Sequence, residues 1–327
     1  MHVGTQDSPR DDTDFEVLAQ LGVNHLCADP PGPWQEWDVD AISRFREKVE
    51  SYGISLDIIT LPMSSSGVSR SDAPHVLQGP SAERDREIEQ MCELIRNAAR
   101  AGIPAVKYCI TIIGHLRTQK QKGRGGAMLS SFKYSDLDQS LPVAEGGPAD
   151  ADEVWERIDY FLERVVPVAE EYKIRLANHP QDPGIGDRIY RGVARVLGTV
   201  EGMKKFVSMR ESPYHGLNFC QGTISEMLEK PGEEIFDVIR YFGERKKIFN
   251  VHFRNIKGGL MDFVEVFPDE GDIDMLKALR VYKEVDYPYM LMPDHVPELS
   301  GDQARRVGFA YCYGYTHALI QAANSGP

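Results

Sequence analysis

Eight times along the chain a short apolar run is followed by amphipathic helical sequence, and this alternation most narrows what the chain can become. The runs lie at 3–5, 25–29, 55–61, 105–111, 175–179, 216–220, 248–252 and 287–294. Helical spacing is plain between them: Ile42, Phe45 and Val49 repeat every three to four residues, as do Ile88, Met91, Cys92 and Ile95. Regular strand–helix alternation means parallel strands joined by right-handed crossovers. Eight units favour closure into a barrel over an open sheet. No Gly-x-Gly-x-x-Gly turn follows the first run to indicate a dinucleotide fold.

No linker, repeat period or shift of composition divides the units, so a single (β/α)8 TIM-barrel domain spanning 1–327 is expected, with a long loop after the fourth strand. That polar insertion, 114–147, carries Arg117, Lys120, Lys122 and Arg124. It reads equally as a mobile surface loop or as a basic lid over an anionic ligand.

Charge excludes several functions. Fifty acidic residues against 37 Lys and Arg give a net charge of −13, which provides no basic face for nucleic acid or an anionic membrane. The five cysteines are scattered and odd in number, which suits a reducing compartment better than a disulfide framework. With no signal-like segment and no run apolar enough to span a bilayer, a cytoplasmic protein is expected. A homo-oligomer is the expected assembly.

The last four runs share a second property. Arg175–His179 ends in His179, the run at 216–220 in Cys220, and the run at 248–252 in His252; the eighth leads into Asp294-His295. One histidine at a strand end is ordinarily a hydrogen-bonded core residue, and one cysteine a small hydrophobe. Four consecutive strands delivering a metal-competent atom at the same end point instead to a first shell of His179, Cys220, His252 and Asp294 around one divalent ion. In a barrel the C-terminal ends of strands five to eight are neighbours on the face where catalysis occurs. The sulfur favours zinc and the carboxylate accommodates manganese. Asn178 and Asn255 are neutral donors suited to a substrate, and Arg254 offers a bidentate contact to a carboxylate.

At these residues the chain resembles the mannonate dehydratase family, metal-dependent enzymes with a sugar-isomerase-like barrel. The resemblance lies in Leu176-Ala-Asn-His179-Pro-Gln-Asp182-Pro183, Gly216-Leu-Asn-Phe-Cys220-Gln-Gly222, His252-Phe-Arg-Asn255-Ile-Lys257, Gly271-Asp272-Ile-Asp274-Met275 and Pro293-Asp294-His295. The first half matches by architecture and by the Gly123-Arg124-Gly125-Gly126 loop, which makes Arg124 a substrate-binding candidate.

The resemblance implies a carbon–oxygen lyase that removes water from D-mannonate, or a related aldonate, to give 2-keto-3-deoxy-D-gluconate. It implies a divalent ion, typically manganese, on the four strand-end residues, with zinc, cobalt, iron(II) and magnesium as other ions such a set admits. His295 is implied as an acid/base residue. One departure stands out: a tyrosine that the family places after the Asp-His pair is Phe309 here. Tyr313, one helical turn on and on the same face, is the expected replacement. Val264 also stands before Glu265 where the family often has histidine. Two alternatives stay open: a metal-dependent sugar isomerase or epimerase on the same barrel, and a carbohydrate-binding barrel without catalysis.

Overall fold

The computed structural model describes residues 1–325. Eight parallel strands close into a barrel: β1 (His2–Thr5), β2 (His25–Cys27), β3 (Ser55–Thr60), β4 (Ala105–Cys109), β5 (Arg175–His179), β6 (His215–Cys220), β7 (Ile248–His252) and β8 (Met290–Met292). Each strand pairs with its neighbours in sequence, and β8 closes on β1 through Val3 and Leu291. The expected (β/α)8 fold is present. No helix among the described residues is long and apolar enough to cross a membrane.

The helices start where short polar side chains can take up free backbone N–H groups. Asp38 accepts from Ala41, Ser81 from Arg84 and Thr199 from Gly202. Asp150 and Glu153 form a reciprocal capping box at the start of the helix Ala151–Tyr172. Its inner face buries Ile158, Phe161, Leu162 and Val165 fully. Phe161 meets Tyr108 of β4 at a ring separation of 5.5 Å, so helix and strand share one apolar layer.

Strands β2, β3, β4 and β8 are shorter than their apolar runs. After Cys27 the chain turns so that Asp29 accepts the Thr60 N–H and hydroxyl, both at 2.6 Å. Past Cys109, the Ile110 N–H goes to the Asn178 side chain and no longer to a strand partner. The Thr60 N–H at the end of β3 and the Ile110 N–H after β4 are therefore satisfied by side chains, which ends pairing there and opens loops of the barrel mouth.

The 114–147 insertion is folded. Gln121–Lys122 pairs with Met128–Leu129, and Ser131–Lys133 adds to the hairpin of Ile256–Gly259 and Asp262–Glu265. Met128 exchanges backbone hydrogen bonds with Glu298, which fastens the insertion to the loop after β8. The mobile-loop reading is replaced by two small sheets, one joining the loops after β4 and β7 and the other bridged to the loop after β8. Three of its cations are engaged internally: Lys120 with Glu298, Arg124 with Asp269, and Arg117 with buried acids.

Truncating Phe161→Ala should cost about 3–5 kcal/mol, read as a lower urea midpoint with unchanged slope. His215 allows a pH prediction. It is fully buried against Phe206, and its Nε2–H donates to the Phe206 carbonyl at 3.0 Å. Burial lowers its pKa from 6.5 to about 4. Because the folded value lies below the unfolded one, stability is full above pH 6.5 and declines as pH falls toward 4. The loss should reach about 2 kcal/mol by pH 5, and His215→Gln should remove it from the difference between pH 7 and pH 5 unfolding curves.

Candidate metal centre

Strand register brings the four donors together. Cys220 is paired with His252 across β6 and β7, and His252 with Met292 across β7 and β8, two residues before Asp294. Their ligand atoms, with one from His179, all lie within 4.8 Å of one another. Donors about 2.0–2.3 Å from a common ion lie at most about 4.6 Å apart, so a small inward movement would complete coordination. One strand residue deeper on the same face, Asn250 donates to Asn218 in a polar layer beneath the donors.

Each donor is held by a different device. The His179 Nδ1–H donates to the Pro180 carbonyl at 2.7 Å, which leaves the Nε2 lone pair free for the centre. Sγ of Cys220 accepts the Thr223 hydroxyl at 3.1 Å and its N–H at 3.4 Å. Oδ1 of Asp294 accepts Gln6 Nε2 at 2.7 Å, while its Oδ2 lies 3.5 Å from His252 Nδ1 and 3.7 Å from Cys220 Sγ. Burial would raise the Asp294 carboxyl, but His295 and His252 hold it well below the usual range.

His252 decides whether the set suits a metal. It is 2% exposed, and neither ring nitrogen has a hydrogen-bond partner. An unsatisfied buried polar group costs about 1–3 kcal/mol, a cost that a cation accepting the imidazole lone pair removes at that one nitrogen. A sulfur, two imidazoles and a carboxylate, converging beside orphaned nitrogens, fit a divalent transition ion.

Beside the centre lies a buried ionic network. Arg254 donates to Glu226 at 2.9 Å and contacts Glu265 at 2.5 Å, and Arg117 reaches both oxygens of Asp182 at 2.5 and 3.0 Å. Arg117 also binds Glu265. Burial opposes ionisation of Asp182, but the two guanidinium groups keep it well below the ordinary range. Glu226 goes the other way: burial and neighbouring Asp182 push it well above the carboxylate range. Two cations therefore face two ionised acids.

His295 joins network and centre. Its Nδ1 lies 2.9 Å from Glu265 and 2.7 Å from Arg254 Nη1, and its Nε2 lies 3.8 Å from Asp294 Oδ1. Burial alone would lower its pKa, but Asp294 and Glu265 raise it to about 9. Nearby His115, edge-on to His295 at 5.7 Å, is lowered to about 4 by burial. At neutral pH one imidazole is charged and the other is not.

The centre and His295 border a cavity of about 880 Å³. Several other expected site residues lie elsewhere. Asn178 is one residue out of phase with His179 and accepts the Ile110 N–H. Arg254 is 3% exposed with its Nη groups on Glu226 and Glu265, so the carboxylates it meets belong to the protein and not to a substrate. Asn255 donates to the Pro268 and Ile273 carbonyls and fastens a loop. Arg124 pairs with Asp269 at the surface, its guanidinium over Phe267. Tyr313 is buried against Phe309, its hydroxyl 2.6 Å from Thr5 Oγ1, and does not line the cavity. Burial also pushes its phenol up, which suits packing better than proton transfer.

The structure adds Gln6, Lys107, His115, Asp182, Glu226 and Glu265 to the neighbourhood. Lys107 left a readable signal, a lone charge inside an apolar strand. Gln6 left none.

Fold and site thus define a (β/α)8 barrel with a metal-competent cluster and a flanking histidine at its C-terminal mouth. Comparison with known proteins gives the family. A model described as D-mannonate dehydratase (UxuA) matches residues 147–322, more than half of the chain. Mannonate dehydratase of Thermotoga petrophila is 28% identical over 304 residues, 82% of this chain and 80% of that protein. The Streptococcus pneumoniae protein of the same name is 26% identical over 330 residues, 90% of this chain and 86% of its own. In three dimensions a mannonate dehydratase from Streptococcus suis serotype 2 aligns with a TM-score of 0.82 at 24% identity, covering 99% of this chain and 95% of that one. A D-tagatose 3-epimerase-like protein aligns at 0.61 and 15% identity, covering 99% of each. The chain belongs to the D-mannonate dehydratase (UxuA) family, and its enzyme class is that of a dehydratase, a hydro-lyase.

Replacing Arg117→Met should destabilise by about 3–5 kcal/mol, because Asp182 and Glu265 lose a partner without regaining water. Adding Asp182→Asn should recover part of that loss. Urea unfolding of the three proteins checks both statements.

Proposed function

We propose that this chain converts D-mannonate, or a closely related aldonate, to 2-keto-3-deoxy-D-gluconate, using a divalent ion on His179, Cys220, His252 and Asp294. The observation that carries this reading is the convergence of those four donors around the unpartnered His252 ring, beside His295. Manganese is the ion we assign first. A bound ion would supply Lewis acidity for the charge that develops when the proton at C2 leaves.

The protein's own groups supply the two proton transfers: neutral His115, in the same cavity and beside His295, can take the proton from C2. Glu265 and Arg254 occupy the Nδ1 side of His295, so Nε2 is the nitrogen left toward the cavity. Glu265 on the Nδ1 side favours the protonated imidazole, so His295 can hold a proton at Nε2 and deliver it to the departing 3-hydroxyl. Leu61, Pro62 and Met63 after β3 give the cavity an apolar wall that limits water. In this reading the whole chain, 1–327, works as one catalytic domain. A reducing, cytoplasmic setting agrees with five unpaired cysteines.

Phe309 favours one rival. Without a hydroxyl at that position, proton exchange without water loss, as in an epimerase, needs fewer groups. The test is NMR of aldonates incubated with metal-loaded enzyme in deuterated water. Formation of a 2-keto-3-deoxy acid supports dehydration, deuterium uptake with intact hydroxyls supports the epimerase, and neither product from a panel of aldonates and aldoses rejects both. His295→Asn should lower kcat by about 10²–10⁴-fold while metal content stays at the wild-type level.

A further inference from the structure

A second feature of the cavity has no role in the reaction so far described. Lys107 lies in β4, an otherwise apolar strand, and its side chain lines the cavity that His179, His252 and Asp294 also border. The Lys107 ammonium donates to Gln6 Oε1 at 2.6 Å, and the same amide donates from Nε2 to Asp294 Oδ1 at 2.7 Å. A single amide group therefore separates the ammonium from a carboxylate of the metal-competent cluster.

The other basic side chains around the cavity are accounted for, and of the remaining acids on its wall Glu298 pairs with Lys120 while Asp72 lies at the rim. Arg305 is mostly exposed and paired with Asp7 at 2.8 Å. His295 is engaged with Glu265, and His115 is held neutral by burial. Among the described residues no carboxylate lies within ion-pair distance of Lys107. Asp29, on the same wall, accepts two hydrogen bonds from Thr60 and has its carboxyl pushed up by burial. Lys107 thus has no carboxylate in ion-pair contact; Asp29 and the Cys27 thiol lie near enough to feel its charge, and of the three donors an ammonium carries Gln6 takes one.

Electrostatic balance explains why a substrate acid would need it. A divalent ion held by a thiolate and a carboxylate is formally neutralised by its own ligands, so the centre brings little net attraction for an anion. Arg117 and Arg254, the two guanidinium groups nearest by, are matched by internal acids. We propose that Lys107 is the specificity-determining residue for an acidic substrate: its free N–H groups take the carboxylate of the sugar acid, while Gln6 keeps that ammonium in register with Asp294. This rests on the reading of the site as acting on aldonates, but it is separable from the reaction itself.

The experiment compares D-gluconate with its uncharged counterpart D-sorbitol by isothermal titration calorimetry. Wild type, Lys107→Met and Lys107→Arg are each measured with and without manganese, and thermal melts show that each variant is folded. The wild type should bind gluconate at least tenfold more tightly than sorbitol. Lys107→Met should lose that preference with sorbitol affinity unchanged, and Lys107→Arg should retain part of it. On any aldonate that turns over, Lys107→Met should raise KM more than it lowers kcat. No gluconate preference in the wild type, or a preference that survives in Lys107→Met, overturns the proposal. A preference that depends on Lys107, in an enzyme that dehydrates no aldonate, upholds the anchor and rejects the proposed reaction alone.

Discussion

Everything at the mouth of this barrel depends on backbone register. Parallel ladders place Cys220 opposite His252, and His252 level with Met292, so residues 74 positions apart in sequence, Cys220 and Asp294, come within 3.7 Å. A slip of one residue in β6 or β7 would turn Cys220 or His252 from the barrel interior to the helix-facing side. The strands are held in phase by ordinary means: fully buried Leu217, Phe219 and Val251 on the faces toward the helices, and Gly216 where a side chain would meet the Lys247 carbonyl at 2.6 Å. Chemistry and packing are thus alternate residues of the same strands.

Above that register sits a second layer of control. Arg254 and Arg117 come from loops after β7 and β4, and the acids they bind come from loops after β5, β6 and β7. Breaking one member would strand buried charge, so the network ties four loops into one rim. His295 leans on that rim through Glu265, which ties the proton-bearing residue to the insertion after β4 as well as to its own strand. The small sheet of Ser131–Lys133, Asp262–Glu265 and Ile256–Gly259 carries Glu265 into this position.

The parts legible in the sequence were those written in periodicity and phase. Eight strand–helix units and four donors at strand ends required only alternation and a rule about where barrel ends meet. The roles of Arg254, Asn255, Arg124 and Tyr313 were not legible, because polar side chains look alike in sequence whether they face a ligand or a buried partner. Arg254 spends its two Nη groups inside the protein, on Glu226, Glu265 and Thr223; Asn255 closes a loop on backbone carbonyls. Insertion 114–147 reads equally as a mobile loop or a basic lid because its charges are visible and their partners, Glu298, Asp269 and Asp182, lie far along the chain. Gln6 matters through contacts across 288 and 101 positions, distances over which sequence carries no local signal, whereas Lys107 stands out as a lone charge in an apolar strand without showing what it meets.

The central claim is that one ion draws Cys220, His179, His252 and Asp294 into a single coordination shell. X-ray absorption at the edge of zinc bound stoichiometrically to the protein tests it directly. The account predicts one sulfur at about 2.3 Å with nitrogen and oxygen scatterers near 2.0–2.1 Å, and loss of the sulfur shell in Cys220→Ser. A first shell of oxygen and nitrogen only, or a spectrum unchanged by that substitution, would contradict it.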